Sequence, residues 1–471
     1  MLNKTSPYHA IVLGGSIAGL LTARILAQYI EKVTIIEKDV LPINPGTRKS
    51  VPQGHHPHVI LSKALQLIEK WFPEFIDDMA SVGAIPVDPA NDVCWFFPLS
   101  WMPRYSSGIK VLSSLRPQIE WCLKKSLLAS FSNVTILENH SAIGLFTNKD
   151  NTCITGVKLK TPFGDIEQMD ATITIDTTGH TSRTPDWLAS IGYEKPKEEE
   201  VVINVGYTTR IYKRPDDFKE GWRGYGILPD FPKTSRGAVL STVQNNQWII
   251  SLTGYSGDHA PVDDIGFMQF ARSLPKTHLY NLLKNETPLS STKVFKLLKI
   301  RRRYYEKLSH FPDGLIVLGD ALCTFNPIFG QGITVASICA EELERLLQKG
   351  VTPDMKRFSE TFHLKASKRV SMAWHLSNII NFSYSQVKTK RRMFLPSMRW
   401  FLKKTLETCS KNPKVGQVFL ELFQMNTGIK TIANPSFLFP ILLNIIKSPI
   451  LPLSKRANVG NIPDPMDITI K

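Results

Sequence analysis

Apolar and polar positions change period twice within the first forty residues. His9-Ala10-Ile11-Val12-Leu13 is an apolar run without alternation, the pattern of a strand buried on both faces. After Gly14-Gly15-Ser16, the apolar spacing from Leu20 to Ile30 predicts a helix, and Val33-Thr34-Ile35-Ile36 returns to a strand. The order is strand, tight turn, helix and strand, closed by Glu37. Further on, the pattern predicts a helix over Leu61 to Trp71 that ends at Pro73, and another within Ser113 to Lys125 that starts near Arg116 and turns Ile119, Cys122 and Leu127 inward. Strands are predicted at Val134–Leu137, Ile154–Leu159 and Ala171–Ile175; the last runs into a polar turn, Asp176-Thr177-Thr178-Gly179-His180-Thr181-Ser182-Arg183. Residues 201–211 and 238–254 alternate, as antiparallel strands of a half-buried sheet do. Gly314-Leu315-Ile316-Val317-Leu318 reads as one more buried strand, with Gly319-Asp320 at its end and Gly330-Gln331-Gly332 opening a helix from Ile333 to Leu347.

Length changes the picture first. At 471 residues the chain is too long for one core, so two domains and an appendage are expected. The 42% hydrophobic and 21% charged content is that of a globular protein. Six cysteines without a CxxC pair suggest neither a zinc site nor a disulfide frame, and a reducing cytoplasm fits them. No apolar core of a secretory leader stands at the N-terminus, which points the same way.

A net charge of +16 implies an anionic partner. Residues 387–404 hold seven cations and no acid, interleaved with Phe394, Leu395, Met398, Trp400 and Phe401, as in an interfacial membrane segment. A helical lobe with solvated lysines explains the same stretch equally well. Phe437 to Leu453 is strongly apolar but is interrupted by Pro440, Lys447, Pro449 and Pro452, and is too short to span a bilayer. No nucleic-acid-binding signature accompanies the charge, so no nucleic-acid partner is expected.

Candidate chemistry concentrates at the two glycine segments. Gly14 permits the turn, Gly15 and Ser16 let a pyrophosphate approach backbone N–H groups at the helix end, Ala18 follows, and Gly19 allows close helix packing. Ser16 replaces the usual second glycine of such loops. Glu37, with Lys38 beside it, stands about twenty residues on, where a carboxylate meets ribose hydroxyls. Asp320, after Gly319, is placed to bind a sugar-like chain, and a helix start at Gly330, Gln331, Gly332 and Ile333 stabilises a developing anion. Both demands suit a flavin. His55, His56 and His58 lack the partners of a metal set, so a loop lining a ligand pocket is preferred and no metal is expected. Trp95, Phe96, Phe97, Trp101 and Trp248 are substrate candidates, with core packing the commoner fate of such residues. Arg301-Arg302-Arg303 reads as a solvated or phosphate-facing strand.

Residues 8–347, most strongly Gly14 to Glu37 and Val317 to Ala336, resemble the FAD-dependent monooxygenases of the aromatic-hydroxylase type and their relatives, the flavin halogenases and geranylgeranyl reductases. The resemblance implies an α/β fold: a Rossmann-like FAD-binding domain, a second antiparallel β-sheet substrate domain and a helical C-terminal lobe. The expected boundaries are 1–190 for the first part of the FAD domain with a substrate-domain insertion near 85–110, 191–300 for the substrate domain, 301–350 for the second part of the FAD domain, and 351–471 for the basic lobe. It implies FAD held at its pyrophosphate by the first loop, at its ribose by Glu37, and at its ribityl chain by Asp320. Arg48 and Arg116 match basic positions near the cofactor phosphates, and the helix after Gly332 points at the flavin ring, with Pro327 on one ring face.

The implied reaction uses O2 and NADPH or NADH, through a flavin C4a-hydroperoxide, to epoxidise or hydroxylate a lipophilic small molecule such as a polyprenyl or polyketide compound of secondary metabolism. Pro327, Gly332, His56 and His58 are the catalytic candidates. The family's Asp-Gly pair, which serves both FAD and NAD(P)H, reads Thr178-Gly179 before His180-Thr181-Ser182 here, closer to the Asp-x-x-Gly form of the reductases and halogenases. The tryptophan-halogenase motif is absent from Trp95 to Trp101. A flavin reductase of isoprenoid double bonds and a non-catalytic flavin-binding protein remain as alternatives, at a cytoplasmic or membrane-surface location.

Overall fold

A computed structural model describes residues 6–97, 100–230, 233–382 and 395–447. The described residues form two compact units: the first is built from those within Met1–Val82, Ser114–Val201 and Lys299–Ser377, the second from those within Gly83–Ser113, Val202–Leu298 and 378–447.

The first unit is organised by five parallel strands, in the order Leu315–Val317, Ile173–Asp176, Ser6–Leu13, Ile30–Ile36 and Val134–Leu137. The stretches Leu315–Val317, Ile173–Asp176, Ala10–Leu13 and Val33–Ile36 are buried on both faces and so carry no apolar–polar alternation, whereas Val134–Leu137 at the end of the row is only partly buried. The register aligns one residue from each strand in a single row, Val317, Asp176, Leu13, Ile36 and Leu137. Whatever follows that row emerges at one edge of the sheet. The chain order reverses between Ser6–Leu13 and Ile173–Asp176, and ligands of open α/β sheets bind outside the carboxyl ends at such a reversal.

Helix Ile17–Leu26 is shorter than its apolar pattern predicts. Gln28 and Tyr29 donate to Ile25 and Leu26 in a closing turn, and β-branched Ile30 already pairs with Ser6 as the first residue of the next strand. Helices Ser62–Trp71, Arg116–Ser130 and Gln331–Gln348 complete the frame, beside an antiparallel sheet of Ser141–Thr147, Ile154–Lys160 and Ile166–Asp170.

In the second unit, the part of strand Lys197–Lys213 after residue 201 pairs antiparallel with Gln247–Gly254, followed in order by Arg236–Val243, Gly224–Ile227, Val93–Phe97 and Ser100–Trp101. One neighbouring pair is parallel, with Trp95 opposite Gly226. Helices Asp264–Arg272 and His278–Leu283 belong to the same core, which is dominated by Trp222, Tyr225, Trp248 and Phe267. Three C-terminal helices, Leu395–Cys409, Pro413–Phe423 and Pro435–Lys447, share a smaller core of Cys409, Val415, Phe437 and Ile441. Of the basic stretch, residues 387–394 lie outside the described residues, as do residues 448–453 of the apolar one. No described helix is long and apolar enough to cross a membrane.

Candidate active site

The row of strand ends in the first unit delivers both glycine segments to one edge. Gly14 takes φ of +100° as the chain leaves its strand, and its N–H donates to the Ile36 carbonyl at 2.8 Å. A Cβ on Gly19 would lie 1.8 Å from the Gly14 carbonyl oxygen, so the turn closes only on a glycine there. Thr177, following the adjacent strand, ties the turn with hydroxyl bonds to the carbonyls of Leu13 (2.7 Å) and Gly14 (3.0 Å). Gly319, at φ of +65°, sits so close that an added Cβ would be 3.1 Å from the Ala18 Cβ. The two segments, some three hundred residues apart in sequence, are neighbours.

Helix Ile17–Leu26 has no side-chain cap, because the Ser16 hydroxyl is committed elsewhere, and helix Gln331–Gln348 starts at Gly330, which has no side chain. Both therefore leave first-turn N–H groups for an anionic or carbonyl-bearing ligand. Glu37 is buried and accepts from the Gly15 N–H at 2.7 Å and the Asp39 N–H at 2.9 Å, which fixes its carboxylate against the loop. Lys38 beside it points into solvent.

A charged network extends from Glu37. Arg48 pairs with Glu37 at 3.1 Å and with Glu120 at 2.9 Å; Glu120 also accepts from Arg116 (2.8 Å) and from the Ser16 hydroxyl (2.6 Å), while Arg116 donates to Ser16 Oγ at 2.7 Å. Burial works against the charge of Arg48, but Glu120 and Glu37 outweigh it and hold the guanidinium above its usual range. Burial likewise opposes ionised Glu120, and Arg116 and Arg48 overcome it, keeping the carboxyl below its usual range. Glu120 is a residue that motif reading misses. Its signal was the four-residue step from Arg116 along one helix face.

The second segment brings a different set of groups. The Asp320 side chain accepts no hydrogen bond among the described residues; its pKa is raised by burial, against the opposing fields of Arg116 and His180. Gly332 opens beside it, since an added Cβ would meet nothing nearer than Asp320 Oδ1 at 3.8 Å. Two buried atoms of the same helix start, Gln331 Oε1 and Thr334 Oγ1, have no hydrogen-bond partner among the described residues. Buried polar atoms left unpaired are costly, which marks this as a surface shaped for a polar ligand. Pro327 is exposed at its rim, on a short turn held by the Asn326 side chain accepting from the Ile328 N–H at 3.1 Å.

These residues fit an FAD. An acceptor at Asp320 suits ribityl hydroxyls; among the described residues Arg116 donates from its Nε and Nη2 and keeps other donors for phosphate; and the uncapped helix starts suit the diphosphate and the flavin ring.

Other sequence candidates resolve differently. Asp176, in the place nearest the missing Asp-Gly aspartate, is wholly buried and accepts from the N–H and hydroxyl of Thr178 and the hydroxyls of Ser182 and Thr184. Both its oxygens shape the loop that follows. Arg302 and Arg303 are buried, not solvated: Arg303 reaches Glu198 at 2.9 Å and the Ala321 carbonyl at 2.8 Å, and Arg302 reaches Glu306 at 3.1 Å and Ser371 at 2.8 Å. Arg303 thereby braces the turn that carries Asp320.

His56 and His58 have pKa values lowered to about 4, in each case chiefly by burial; the neighbouring histidines add to it at His56, and Arg116 at His58. His58 Nδ1 lies 2.9 Å from the His56 carbonyl, an acceptor, so that nitrogen carries the proton of the neutral ring. In the second unit, Trp101 and Trp248 are core residues. Trp248 stacks on Trp222 at 5.8 Å, and Trp101 meets Phe96 and Tyr225 edge-on. The reading that set them against a substrate is corrected: an inward strand position serves either purpose, and here neighbouring rings fill it. Trp95 and Phe97 are only half-buried, with rings 6.3 Å apart.

Comparison with known proteins places this architecture. No family model matches the chain. It is 27% identical over 429 residues to Protein Rv3254 of Mycobacterium tuberculosis, covering 88% of this chain and 89% of that protein. Among solved structures it is similar to the tetrameric form of 2-methyl-3-hydroxypyridine-5-carboxylic acid oxygenase (TM-score 0.57, 19% identity, 84% of this chain and 95% of that one). It is also similar to the flavin-dependent brominase Bmp2 (TM-score 0.64, 13% identity, 88% and 93%). The fold is the one these two enzymes share. It is the mixed α/β architecture that the residues imply, with an antiparallel sheet and a helical C-terminal region.

Proposed function

We propose that the protein is an FAD-dependent monooxygenase acting on a lipophilic small molecule, with O2 as co-substrate and NADPH or NADH as reductant. The observation that carries this reading is the packing of Gly319 against Ala18, which joins a dinucleotide turn and an unpaired carboxylate at one sheet edge. When bound, the flavin supplies two-electron transfer and oxygen activation.

The chain's part is to bind, orient and polarise. Glu37 accepts from ribose hydroxyls, Arg48 and Arg116 offset phosphate charge, and Asp320 accepts from the ribityl chain. First-turn N–H groups of helix Gln331–Gln348 would offset negative charge on a bound flavin ring, and Pro327, on the turn just before them, would help line its site. His58 is neutral at physiological pH, with Nε2 as its free acceptor, and serves in holding a proton only if a ligand or a nearby acid raises its basicity. Half-buried Trp95 and Phe97 are the aromatic contacts for a polyprenyl or polyketide substrate. The basic C-terminal region supports contact with a cytoplasmic membrane surface.

An isoprenoid double-bond reductase is the second reading, favoured by the Asp176-x-x-Gly179 form of the loop. Turnover with a chemical reductant in the absence of O2 decides between them, because product formed anaerobically discards the oxygenase. Purified protein that carries FAD but is bleached by neither nicotinamide nor a partner reductase is a non-catalytic flavin binder. Mass spectrometry of the molecules released on heat denaturation reads the cofactor and any trapped lipid together.

A further inference from the structure

Helix Pro435–Lys447 is apolar on two sides. Phe437 and Ile441 face the small C-terminal core and are fully covered, yet Phe439, Leu442, Leu443 and Ile446 remain exposed, Phe439 at 61% and Ile446 at 78%. Those four stand at i, i+3, i+4 and i+7, so they form one stripe along the helix. Burying part of a helix explains half of its apolar residues; the second stripe costs solvation with no gain inside the protein. Trp400 and Met398 on helix Leu395–Cys409 are exposed as well.

The charge of the same segment selects the occupant. Between residues 395 and 447 there are seven Lys and Arg against two acids. Both acids are engaged internally: Glu407 pairs with Lys404 at 2.6 Å, and Glu421 accepts from Asn426 at 2.7 Å. Lys411, Lys414 and Lys430 are exposed and make no ion pair among the described residues. A second copy of this chain would bring the same cations against themselves. An anionic lipid surface attracts each of these cations and accepts apolar side chains beneath its headgroups. Thirteen residues make a helix roughly 20 Å long, which is short of the roughly 30 Å hydrocarbon core, so the helix lies in the interface.

The geometry points to Pro435–Lys447 as a monotopic membrane-docking helix that buries Phe439, Leu442, Leu443 and Ile446 in an anionic bilayer. This deepens the surface-contact part of the proposal above and is independent of the cofactor. The full chain is floated with vesicles of phosphatidylcholine alone or mixed with phosphatidylglycerol. The wild type rises with the mixed vesicles; a Phe439→Ser/Ile446→Ser variant of unchanged circular dichroism partitions at least about tenfold more weakly. Lys411→Gln/Lys414→Gln/Lys430→Gln lowers binding to mixed vesicles only. In Leu443→Trp, emission of the new indole is quenched by bromine-labelled acyl chains. Flotation of the serine variant equal to wild type overturns the helix assignment while leaving general membrane contact standing. No flotation of the wild type overturns both, and so does self-association in sedimentation velocity that the serine variant abolishes without any vesicle binding.

Discussion

The sheet edge of the first unit and the aromatic core of the second are both built where strands end or face inward, yet they constrain residue identity in opposite ways. At the edge, backbone meets backbone: the Gly14 carbonyl leaves no room for a side chain at 19, and Gly319 leaves almost none against Ala18. In the core of the second unit, rings meet rings, and Trp222, Trp248, Phe218 and Tyr225 fill space that other large apolar residues fill nearly as well. The difference separates positions where chemistry dictates a residue from positions where volume does.

The sharpest way to break the comparison is Gly19→Ala. A methyl group 1.8 Å from a carbonyl oxygen must push the turn off the helix, and with it the surface offered to a diphosphate. The expected outcome is folded but colourless protein, with flavin affinity down by more than about a hundredfold, read from the visible absorbance after gel filtration. A yellow Gly19→Ala protein of normal stoichiometry would show that the loop does not hold the cofactor.

In the second unit the matching experiment is Trp248→Ala against Trp95→Ala. Trp248 is fully enclosed, so its removal should cost about 3–5 kcal/mol of stability, whereas half-buried Trp95 should cost far less and act on the substrate KM instead. Urea unfolding and steady-state kinetics read the two effects separately. Should Trp248→Ala unfold as the wild type does while losing substrate affinity, the core assignment is wrong.

Legibility from sequence follows the same division. The turn at Gly14, the distal Glu37 and the Gly319-Asp320 pair were readable because each demands a particular residue at a particular spacing. Glu120 was not, because a glutamate one helical turn after an arginine is commonplace on surfaces; only folding brings it beside Ser16 and Arg48. Arg302 and Arg303 were misread as solvated for a related reason: the acids that let them be buried, Glu198 and Glu306, lie respectively more than a hundred residues away and one short turn on. Trp101 and Trp248 show the limit of apolar patterning, which says that a ring points inward and not what it meets there.

Asp320 tests whether the edge recognises sugar hydroxyls as well as phosphate. Asp320→Ala should weaken FAD binding by about 1.5–3 kcal/mol, the range for a hydrogen bond to a charged group, while Asp320→Asn keeps an acceptor and should lose less. Equilibrium dialysis of FAD reads both. Retention of flavin by Asp320→Ala at the wild-type level removes that role.

The smallest expected effect is acid sensitivity, which should fall on the first unit. His56, His58 and His363 all lie there with pKa values lowered to about 4 chiefly by burial, and His363 is the cleanest case, its ring donating to the Ser359 carbonyl at 2.8 Å and accepting from the Val317 N–H at 3.2 Å. An unfolded histidine binds its proton near 6.5, so between that value and about 4 the unfolded chain holds more protons and stability falls with pH. For one such ring the loss from pH 7 to pH 5 is roughly 1–2 kcal/mol. Asp320 acts with the opposite sign: its raised pKa adds stability at low pH that is lost as pH rises through the folded value. Its window begins at the ordinary carboxylate pKa and extends upward from there, so over any shared range it opposes the histidine effect. The measurement is the urea midpoint at pH 7 and pH 5 for wild type and His363→Gln. The variant should be less stable at pH 7 and lose less on acidification; an identical drop in both proteins would mean that this buried ring does not set the acid response.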